Sequence, residues 1–425
     1  MKICTRRKSY EEVMLLPKCR HRKPLRPNFL LQTVIRIAAI PDLLATKFEF
    51  TMTDMEQVKH QPCLILMNHS CFLDLMIMSR IFYPKRYAVV CTTDGFVGKE
   101  WLMRFLGCIP TQKFVSDVGL VRDMEYMLKE KKVSVLMYPE ASYSFDGTAT
   151  ALPRKMGVLL KKLDVPVVTV STKGAFARQP LYNGLLKRKV RVTAEVKCLV
   201  TAQEIKEKSV RELDELLDEV FTFDHFAWQK EREVHIGEQT RANGLERILY
   251  KCPACNEEGK LKGEGTRLTC THCGKTWEMD TLGQLKAVEG ETEFSHIPDW
   301  YAWQRSEVRR ELEEGRYALE TDVEIGVMVD YKAIYMVGDG HLSHNTDGFR
   351  LTGCDGKLSY EQAPLSSYGL YADYYWYSIA DVICIGNQDA LYYCFPKDGT
   401  PVAKTRMATE ELYKLKKRRK VKEMA

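Results

Sequence analysis

Four short apolar runs in the first half of the chain limit its fold more than any other feature. They are residues 63–67, 87–91, 133–138 and 165–170. Short apolar runs of this kind are typical of strands that are buried on both faces, as in parallel sheets. Segments with helical spacing lie between them, so the order alternates between strand and helix. This alternation predicts an α/β domain with a mostly parallel sheet, which we place at residues 51–245.

The rest of the chain divides into three regions of different character. Residues 1–50 combine a basic arm with an interrupted apolar helix, and residues 246–290 contain two cysteine pairs. In residues 300–425, apolar and polar residues alternate and Asp-Gly turn signals recur before a basic C-terminal helix. Hairpin strands closed by one helix predict a β-rich domain, with a pleckstrin-homology-like barrel as one form it could take.

Two Cys-x2-Cys pairs stand fourteen residues apart, and they consist of Cys252, Cys255, Cys270 and Cys273. Four thiolates complete the tetrahedral shell of a structural Zn²⁺ ion and leave no position for a catalytic water. We therefore predict a structural zinc ribbon, with a redox-active dithiol pair as the alternative. Acidic residues offset the lysines and arginines around these cysteines, so we expect no nucleic-acid surface there.

The longest apolar stretch, residues 29–44, is interrupted by Arg36, Pro41 and Asp42. A helix that spans a bilayer needs about 20 apolar residues, so this stretch is too short and too polar to span one. Its apolar residues form a helical stripe, which predicts a helix lying in the membrane interface with the basic arm on anionic headgroups. The alternative is an ordinary helix packed against the core.

The first eight residues are polar and basic, and no apolar signal core follows them. Of the fourteen cysteines, ten are scattered singly, which is unlike a secreted disulfide scaffold. We therefore expect a reducing, intracellular compartment. Together with the interfacial helix, this predicts a peripheral protein on the cytoplasmic face of a membrane.

A histidine and an aspartate, His69 and Asp74, follow the first apolar run within the sequence Asn-His-Ser-Cys-Phe-Leu-Asp. A strand-to-helix turn can place both side chains on one face. The carboxylate would then accept a hydrogen bond from the imidazole, fix its tautomer and raise its basicity. Such a histidine can take a proton from an alcohol, although the spacing alone occurs often by chance.

Further segments make the functional interpretation of His69 and Asp74 more specific. The stretch Asn68–Asp74, the glycine-led stretch Leu106–Lys113 and the stretch Tyr138–Ser142 follow one another in order. Together they resemble the blocks of the glycerolipid (lysophospholipid) acyltransferase family, of the 1-acylglycerol-3-phosphate acyltransferase type. The resemblance covers roughly residues 30–235, about half of the chain.

The resemblance implies an acyltransferase in which His69 is the general base and Asp74 orients it. The acyl donor would be acyl-CoA or acyl-carrier protein, and the acceptor a lysolipid hydroxyl. The same resemblance implies substrate or oxyanion contacts, which we assign to Asn68, Gly107, Lys113, Pro139, Glu140, Ala141 and Ser142. Neither Ser70 nor Cys71 is needed as a nucleophile.

The second and third blocks depart from the family pattern in ways that concern the acceptor. Lys113 stands where an arginine usually ends the second block, Ala141 replaces a glycine, and Tyr143 replaces an arginine. A lysine lacks the bidentate fork of arginine, so the grip on a phosphate is weakened. Arg154 and Lys155 are among the cations that could compensate. The alternative function is a catalytically inactive protein that binds membrane or nucleic acid through the ribbon and the basic tail.

Overall fold

The computed structural model describes residues 2–115, 117–150, 152–153, 156–399 and 401–424, with side chains as far as Lys420. Arg154 and Lys155 therefore lie outside the described residues. The N-terminal segment contains one strand and three helices: β1 (Thr5–Arg7), α1 (Tyr10–Met14), α2 (Phe29–Ala38) and α3 (Ile40–Ala45). Strand β1 pairs in parallel with residues 334–336, far along the chain, so the first residues belong to the β-rich unit.

Within the described residues, seven strands form the first sheet. They are β2 (Glu49–Thr53), β3 (Leu64–Met67), β4 (Tyr87–Thr92), β5 (Cys108–Thr111), β6 (Ser134–Met137), β7 (Val167–Lys173) and β8 (Thr193–Val200). Their spatial order is β2-β8-β7-β3-β6-β4-β5, and neighbouring strands are parallel except for β7 and β8. The four apolar runs of the sequence correspond to β3, β4, β6 and β7.

Helices cover both faces of this sheet. They are α4 (Leu73–Phe82), α5 (Glu100–Phe105), α6 (Val118–Glu125), α7 (Met156–Leu163), α8 (Ala175–Arg178), α9 (Ala202–Glu207), α10 (Val210–Val220) and α11 (His225–Glu231). Strand β3 sends Ile65 and Met67 into one buried apolar cluster, and Leu64 and Leu66 into another. Because successive side chains of a strand point to opposite faces, a strand buried on both faces reads as an unbroken apolar run.

A small antiparallel sheet follows, with the order β12-β11-β10-β9. Its strands are β9 (Leu261–Glu264), β10 (Arg267–Cys270), β11 (Thr276–Met279) and β12 (Leu285–Ala287). Trp277 of β11 packs edge-on against Trp300 of the next helix at 4.9 Å between ring centroids, and both rings are fully buried. The small sheet therefore shares one core with the β-rich unit that follows.

The β-rich unit is an antiparallel sheet enclosed by two long helices. Its elements are α12 (Ile297–Glu313), β13 (Leu319–Met328), β14 (Ile334–Asn345), β15 (Gly348–Gly353), β16 (Leu358–Gln362), β17 (Tyr371–Trp376), β18 (Ala380–Gly386), β19 (Leu391–Pro396) and α13 (Val402–Met424). The strand order is β16-β15-β14-β13-β19-β18-β17, and β1 is added at β14. The β-rich character predicted for residues 300–425 is confirmed, and the pleckstrin-homology-like assignment stays a prediction.

A buried carboxylate joins the β-rich unit to the first sheet. Asp94, which follows β4, accepts hydrogen bonds from the Tyr371 hydroxyl at 2.5 Å and from the Trp376 indole N–H at 3.1 Å. Asp94 is only 1% exposed, and a buried charge is tolerated only where such donors satisfy it. This contact fixes β17 beside the first unit, close to the site described next.

Candidate functional site

The imidazole of His69 and the carboxylate of Asp74 are in direct contact. The His69 Nδ1 atom lies 3.0 Å from Asp74 Oδ2, and the same oxygen accepts hydrogen bonds from the backbone N–H groups of Ser70 and Cys71. The sequence prediction that these two side chains share one face of a turn agrees with this geometry. With Nδ1 on the carboxylate, the Nε2 atom has no hydrogen-bond partner among the described residues.

The local fold explains why the pair forms. His69 stands just beyond the carboxyl end of β3, and Asp74 lies in the first turn of α4. The backbone N–H groups at the start of a helix are free and point outward, so they hold a carboxylate there. Asp74 is fully buried, so its charge depends on these donors and on His69.

Two tyrosine rings pack against the imidazole. The ring centroid of Tyr138 lies 4.0 Å from that of His69, and the centroid of Tyr143 lies 4.2 Å away. The histidine side chain is 18% exposed. Burial lowers the pKa of His69, while the hydrogen bond to Asp74 and its charge raise it. The net shift is downward, so the imidazole is neutral at physiological pH and able to accept a proton.

Asn68 and Glu140, two of the residues that the resemblance assigned to substrate contact, make hydrogen bonds within the protein. The Glu140 carboxylate accepts hydrogen bonds from the backbone N–H of His69 at 3.0 Å and from both the N–H and the hydroxyl of Thr150. Asn68 accepts two hydrogen bonds from Thr172 on β7. Both side chains are buried, and burial raises the pKa of Glu140 to about 7. Their observed contacts are with the protein itself, where they fix the loop that carries His69.

The rest of the third block follows Glu140 in a tight loop. Pro139 is buried, and Ala141 has a φ of 57°, in the left-handed region where glycine is the least strained residue. This conformation explains why the acyltransferase family that the sequence resembles has a glycine at this position. Ala141 donates its N–H to the carbonyl of Tyr138 at 3.1 Å, so that group is already engaged.

An arginine from the C-terminal helix forms hydrogen bonds with the loop of the third block. Arg406 of α13 donates to the Ser142 hydroxyl at 3.0 Å and to the Tyr143 carbonyl at 3.4 Å. It also pairs with Glu410 at 3.1 Å and is buried. Arg406 therefore contacts Tyr143, which stands where the resemblance expects an arginine. Through this contact, Arg406 also holds the ring that packs on His69.

Lys113 lies just beyond the carboxyl end of β5, at the same edge of the sheet as His69. Its Nζ atom lies 4.1 Å from the centroid of the Tyr371 ring of the β-rich unit. Its positive charge is close enough to lower the pKa of His69. The predicted role of Lys113 in binding the acceptor stays a prediction.

Gly107 lies at the opposite end of β5, just before the strand begins. Its N–H donates to the Arg104 carbonyl, and a Cβ atom at this position would lie 2.4 Å from Pro27. The glycine is thus required by close packing of the N-terminal segment. Gly107 therefore lies at the end of β5 away from His69, and its N–H is engaged by the Arg104 carbonyl.

The four predicted metal ligands converge. The ligand atoms of Cys252, Cys255, Cys270 and Cys273 all lie within 4.8 Å of one another. The sulfur atoms of Cys252 and Cys273 are 3.8 Å apart, as are those of Cys255 and Cys270. A tetrahedral Zn²⁺ ion with Zn–S bonds of about 2.3 Å requires sulfur atoms about 3.8 Å apart. The cluster therefore fits a structural metal ion, as predicted.

Comparison with known proteins shows that His69 and Asp74 lie within a segment that matches a known family. Residues 49–173 match the acyltransferase family. Over 137 residues, the chain is 28% identical to the chloroplastic 1-acyl-sn-glycerol-3-phosphate acyltransferase BAT2 of Brassica napus. This match covers 30% of this chain and 39% of that protein, so the chain spans about two fifths of its relative. The crystal structure of the 1-acyl-sn-glycerophosphate acyltransferase PlsC from Thermotoga maritima aligns with 17% identity and a TM-score of 0.34, over 44% of this chain and 80% of that one.

Proposed function

We propose that this chain, in which residues 49–173 form an acyltransferase-family domain, transfers a fatty acyl group to the hydroxyl of a lysophospholipid. Acyl-CoA or acyl-carrier protein would be the donor. The observation that carries the proposal is the pair of His69 and Asp74, joined at 3.0 Å, with the second imidazole nitrogen unpaired in the described part of the chain. A hydroxyl placed against that nitrogen would meet a neutral, oriented base.

The chemistry needs no covalent intermediate with the protein. His69 Nε2 takes the proton of the acceptor hydroxyl as its oxygen attacks the thioester carbonyl. The Asp74 carboxylate stabilises the imidazolium that forms. When the tetrahedral intermediate collapses, the C–S bond breaks and the imidazolium returns its proton to the departing thiolate. The products are the acylated lipid and the free thiol of the carrier.

Product formation with a panel of acceptors tests the proposed function. Purified protein is offered labelled acyl-CoA or acyl-carrier protein with lysolipids that differ in headgroup, and the product lipid is measured by mass spectrometry. We expect one donor and at least one lysolipid to give product, with release of one thiol for each ester formed. The absence of product with every donor and acceptor would contradict the proposed function and favour a binding protein.

We also propose that α2 and its neighbours attach the protein to the cytoplasmic face of a membrane. Leu30, Val34 and Ile37 follow one stripe of α2 and are 73%, 60% and 60% exposed. None of the ten residues of α2, all of them described, is buried. This exposure argues against the alternative of a helix packed into the core, and a stripe of this kind suits the membrane interface. Among the described residues, no helix is long and apolar enough to cross a bilayer.

The exposed apolar surface extends beyond this helix. Asn28, at the start of α2, donates its N–H to the Phe105 carbonyl of α5, and Phe29 stacks on Tyr83 at 5.8 Å. Phe105 and Trp101 of α5 are also exposed. A contiguous apolar patch on a soluble protein commonly marks an interaction surface. The patch lies on the same unit as His69, which suits an enzyme whose acceptor is a lipid.

A single charge in the apolar stripe is expected to weaken membrane binding. The Val34→Asp variant places a carboxylate where an apolar side chain would enter the interface, so we expect binding to anionic liposomes to fall at least about tenfold. Flotation on a density gradient measures the bound fraction. Val288→Asp is the matched control, because Val288 is also half exposed, at 50%, but follows β12 of the small antiparallel sheet. Equal loss of binding in both variants would contradict the role of α2.

A further inference from the structure

The loop that follows β6, residues 138–150, contacts His69 through two aromatic rings and through its backbone. The ring centroids of Tyr138 and Tyr143 lie 4.0 and 4.2 Å from that of the imidazole, and the ring planes are inclined to it by 26° and 32°. Two rings this close and this nearly parallel cannot share one face of an imidazole, so His69 lies between them. The Ser144 N–H also donates to the His69 carbonyl at 3.4 Å. The placement of His69 therefore depends on the conformation of this loop.

Arg406 holds the same loop from outside the first unit. Its guanidinium donates to the Ser142 hydroxyl at 3.0 Å and to the Tyr143 carbonyl at 3.4 Å. It also lies over the ring of Phe145, at 4.4 Å from the ring centroid. A guanidinium presents five N–H donors in one rigid plane, so it can hold several groups of a loop in a single arrangement. Arg406 therefore fixes the backbone of the residue whose ring packs on His69.

The two long helices of the β-rich unit fix Arg406 in turn. Its Nε atom donates to Glu410, one turn later on α13, at 3.1 Å. The other carboxylate oxygen of Glu410 accepts a hydrogen bond from Arg305 of α12 at 2.6 Å. Arg406 is 3% exposed and Glu410 is 7% exposed, and buried charges are tolerated only where partners satisfy them. The packing of α12 against α13 thus sets the direction in which Arg406 meets the loop.

We propose that Arg406 is a positioning residue for acyl transfer, which keeps the Tyr143 ring against the imidazole of His69. A stacked ring limits rotation of the imidazole, so that Nε2 stays directed at the acceptor hydroxyl. The face of the ring also attracts the positive charge that His69 gains when it takes the proton. This inference rests on the proposed function and adds to it a residue from outside the acyltransferase-family segment, residues 49–173.

Nuclear magnetic resonance of the histidines tests this positioning without turnover. The protein has nine histidines, and with carbon-13 in their rings the signal missing from His69→Ala identifies His69. A stacked ring shields the imidazole protons, so we expect their signals to move downfield in Tyr143→Leu and to stay in place in Tyr143→Phe. Arg406→Gln should move them in the same direction as Tyr143→Leu, because the loop is released.

A second variant guards against a folding defect. Arg406→Lys keeps a positive charge beside Glu410 but lacks the planar fork, so it should also move the His69 signals downfield. The signals of the other histidines report whether each variant is folded. His69 signals that stay in place in a folded Arg406→Gln or Arg406→Lys protein would overturn the proposal.

A double-mutant cycle tests whether Arg406 acts through Tyr143. We expect kcat to fall about tenfold in Arg406→Gln and in Tyr143→Leu, with little change in KM, because the base is misplaced. The double variant should also lose about tenfold rather than about a hundredfold. Arg350→Gln is the matched control, since Arg350 is an exposed arginine of the same unit, and it should leave kcat unchanged. Losses that multiply would contradict the proposal, whereas shifted His69 signals in a protein that forms no product would overturn the proposed function alone.

Discussion

Replacing His69 with alanine is expected to lower the kcat/KM of acyl transfer by about a thousandfold or more. General-base catalysis contributes about 10²- to 10⁴-fold, and the described site offers no second base in contact with Asp74. The measurement is steady-state release of free thiol from the donor, checked against product lipid. His60→Ala provides the matched control, because His60 is an exposed histidine close by in the sequence and should leave the rate unchanged. An active His69→Ala protein would show that another group takes the proton.

The pH dependence of the rate distinguishes a base from a merely structural histidine. Burial lowers the pKa of His69, so kcat/KM should stay high at neutral pH and fall only as the pH drops through that lowered value. In Asp74→Asn, the hydrogen bond and charge that raise the pKa of His69 are weakened. The acidic limb should therefore move to still lower pH, while the maximal rate falls because the imidazole is no longer oriented. A limb that stays in place would contradict the pairing of these two residues.

Glu140 provides a second titration that can be separated from the first. Its pKa is raised to about 7 by burial, and its carboxylate holds the backbone of His69 and Thr150. Protonation of Glu140 would weaken these contacts near neutral pH. A limb near pH 7 that disappears in Glu140→Gln would belong to this loop contact, whereas the limb of His69 should persist in that variant.

The parts of the site that could be predicted from the sequence are those encoded by local spacing. A buried strand followed by a turn and a helix fixes the distance between His69 and Asp74, because both lie within one turn of the chain. The four cysteines were equally predictable, since a hairpin brings two pairs together. The strands β3, β4, β6 and β7 were visible because burial on both faces makes the run of residues at their centre mostly apolar.

Contacts between distant segments left no signal in the sequence. Arg406 reaches Ser142 across 264 residues, and no pattern around either residue indicates a partner. Tyr371 lies beside Lys113 only because Asp94 fixes strand β17 against the first unit. Strand β1 is three exposed residues long, too short to show an alternating pattern. In each case, packing between segments that are distant in the sequence decides the contact.

The roles of Asn68 and Glu140 were also hidden from the sequence. A polar residue beside a catalytic histidine can contact either the substrate or the protein, and both choices keep the same residue in the same block. Here the side chains are buried. Asn68 bonds to Thr172 and Ser70, and Glu140 bonds to Thr150 and to the backbone N–H of His69. Only their burial and partners reveal that they support the loop.

Removing one ligand of the cysteine cluster is expected to destabilise the zinc ribbon and also the core that it shares with the β-rich unit. In Cys273→Ser, we expect loss of about one equivalent of bound zinc and a fall of several kcal/mol in the free energy of unfolding, because metal binding supplies much of the folding energy of such units. Zinc analysis and thermal unfolding measure the two effects. Cys19→Ser is the matched control, since Cys19 is also exposed and lies outside the cluster.

The loss should reach the catalytic site even though no cysteine of the cluster touches it. Cys252 and Cys270 are buried in the same apolar core as Trp277 and Trp300, and that core continues into α13, which carries Arg406. A loosened core would release the Arg406 contact to the loop of Ser142 and Tyr143, and with it the ring that packs on His69. Chelation of the metal should therefore lower kcat along with stability. A protein that loses its zinc but keeps its thermal midpoint and its rate would show that the ribbon packs without metal.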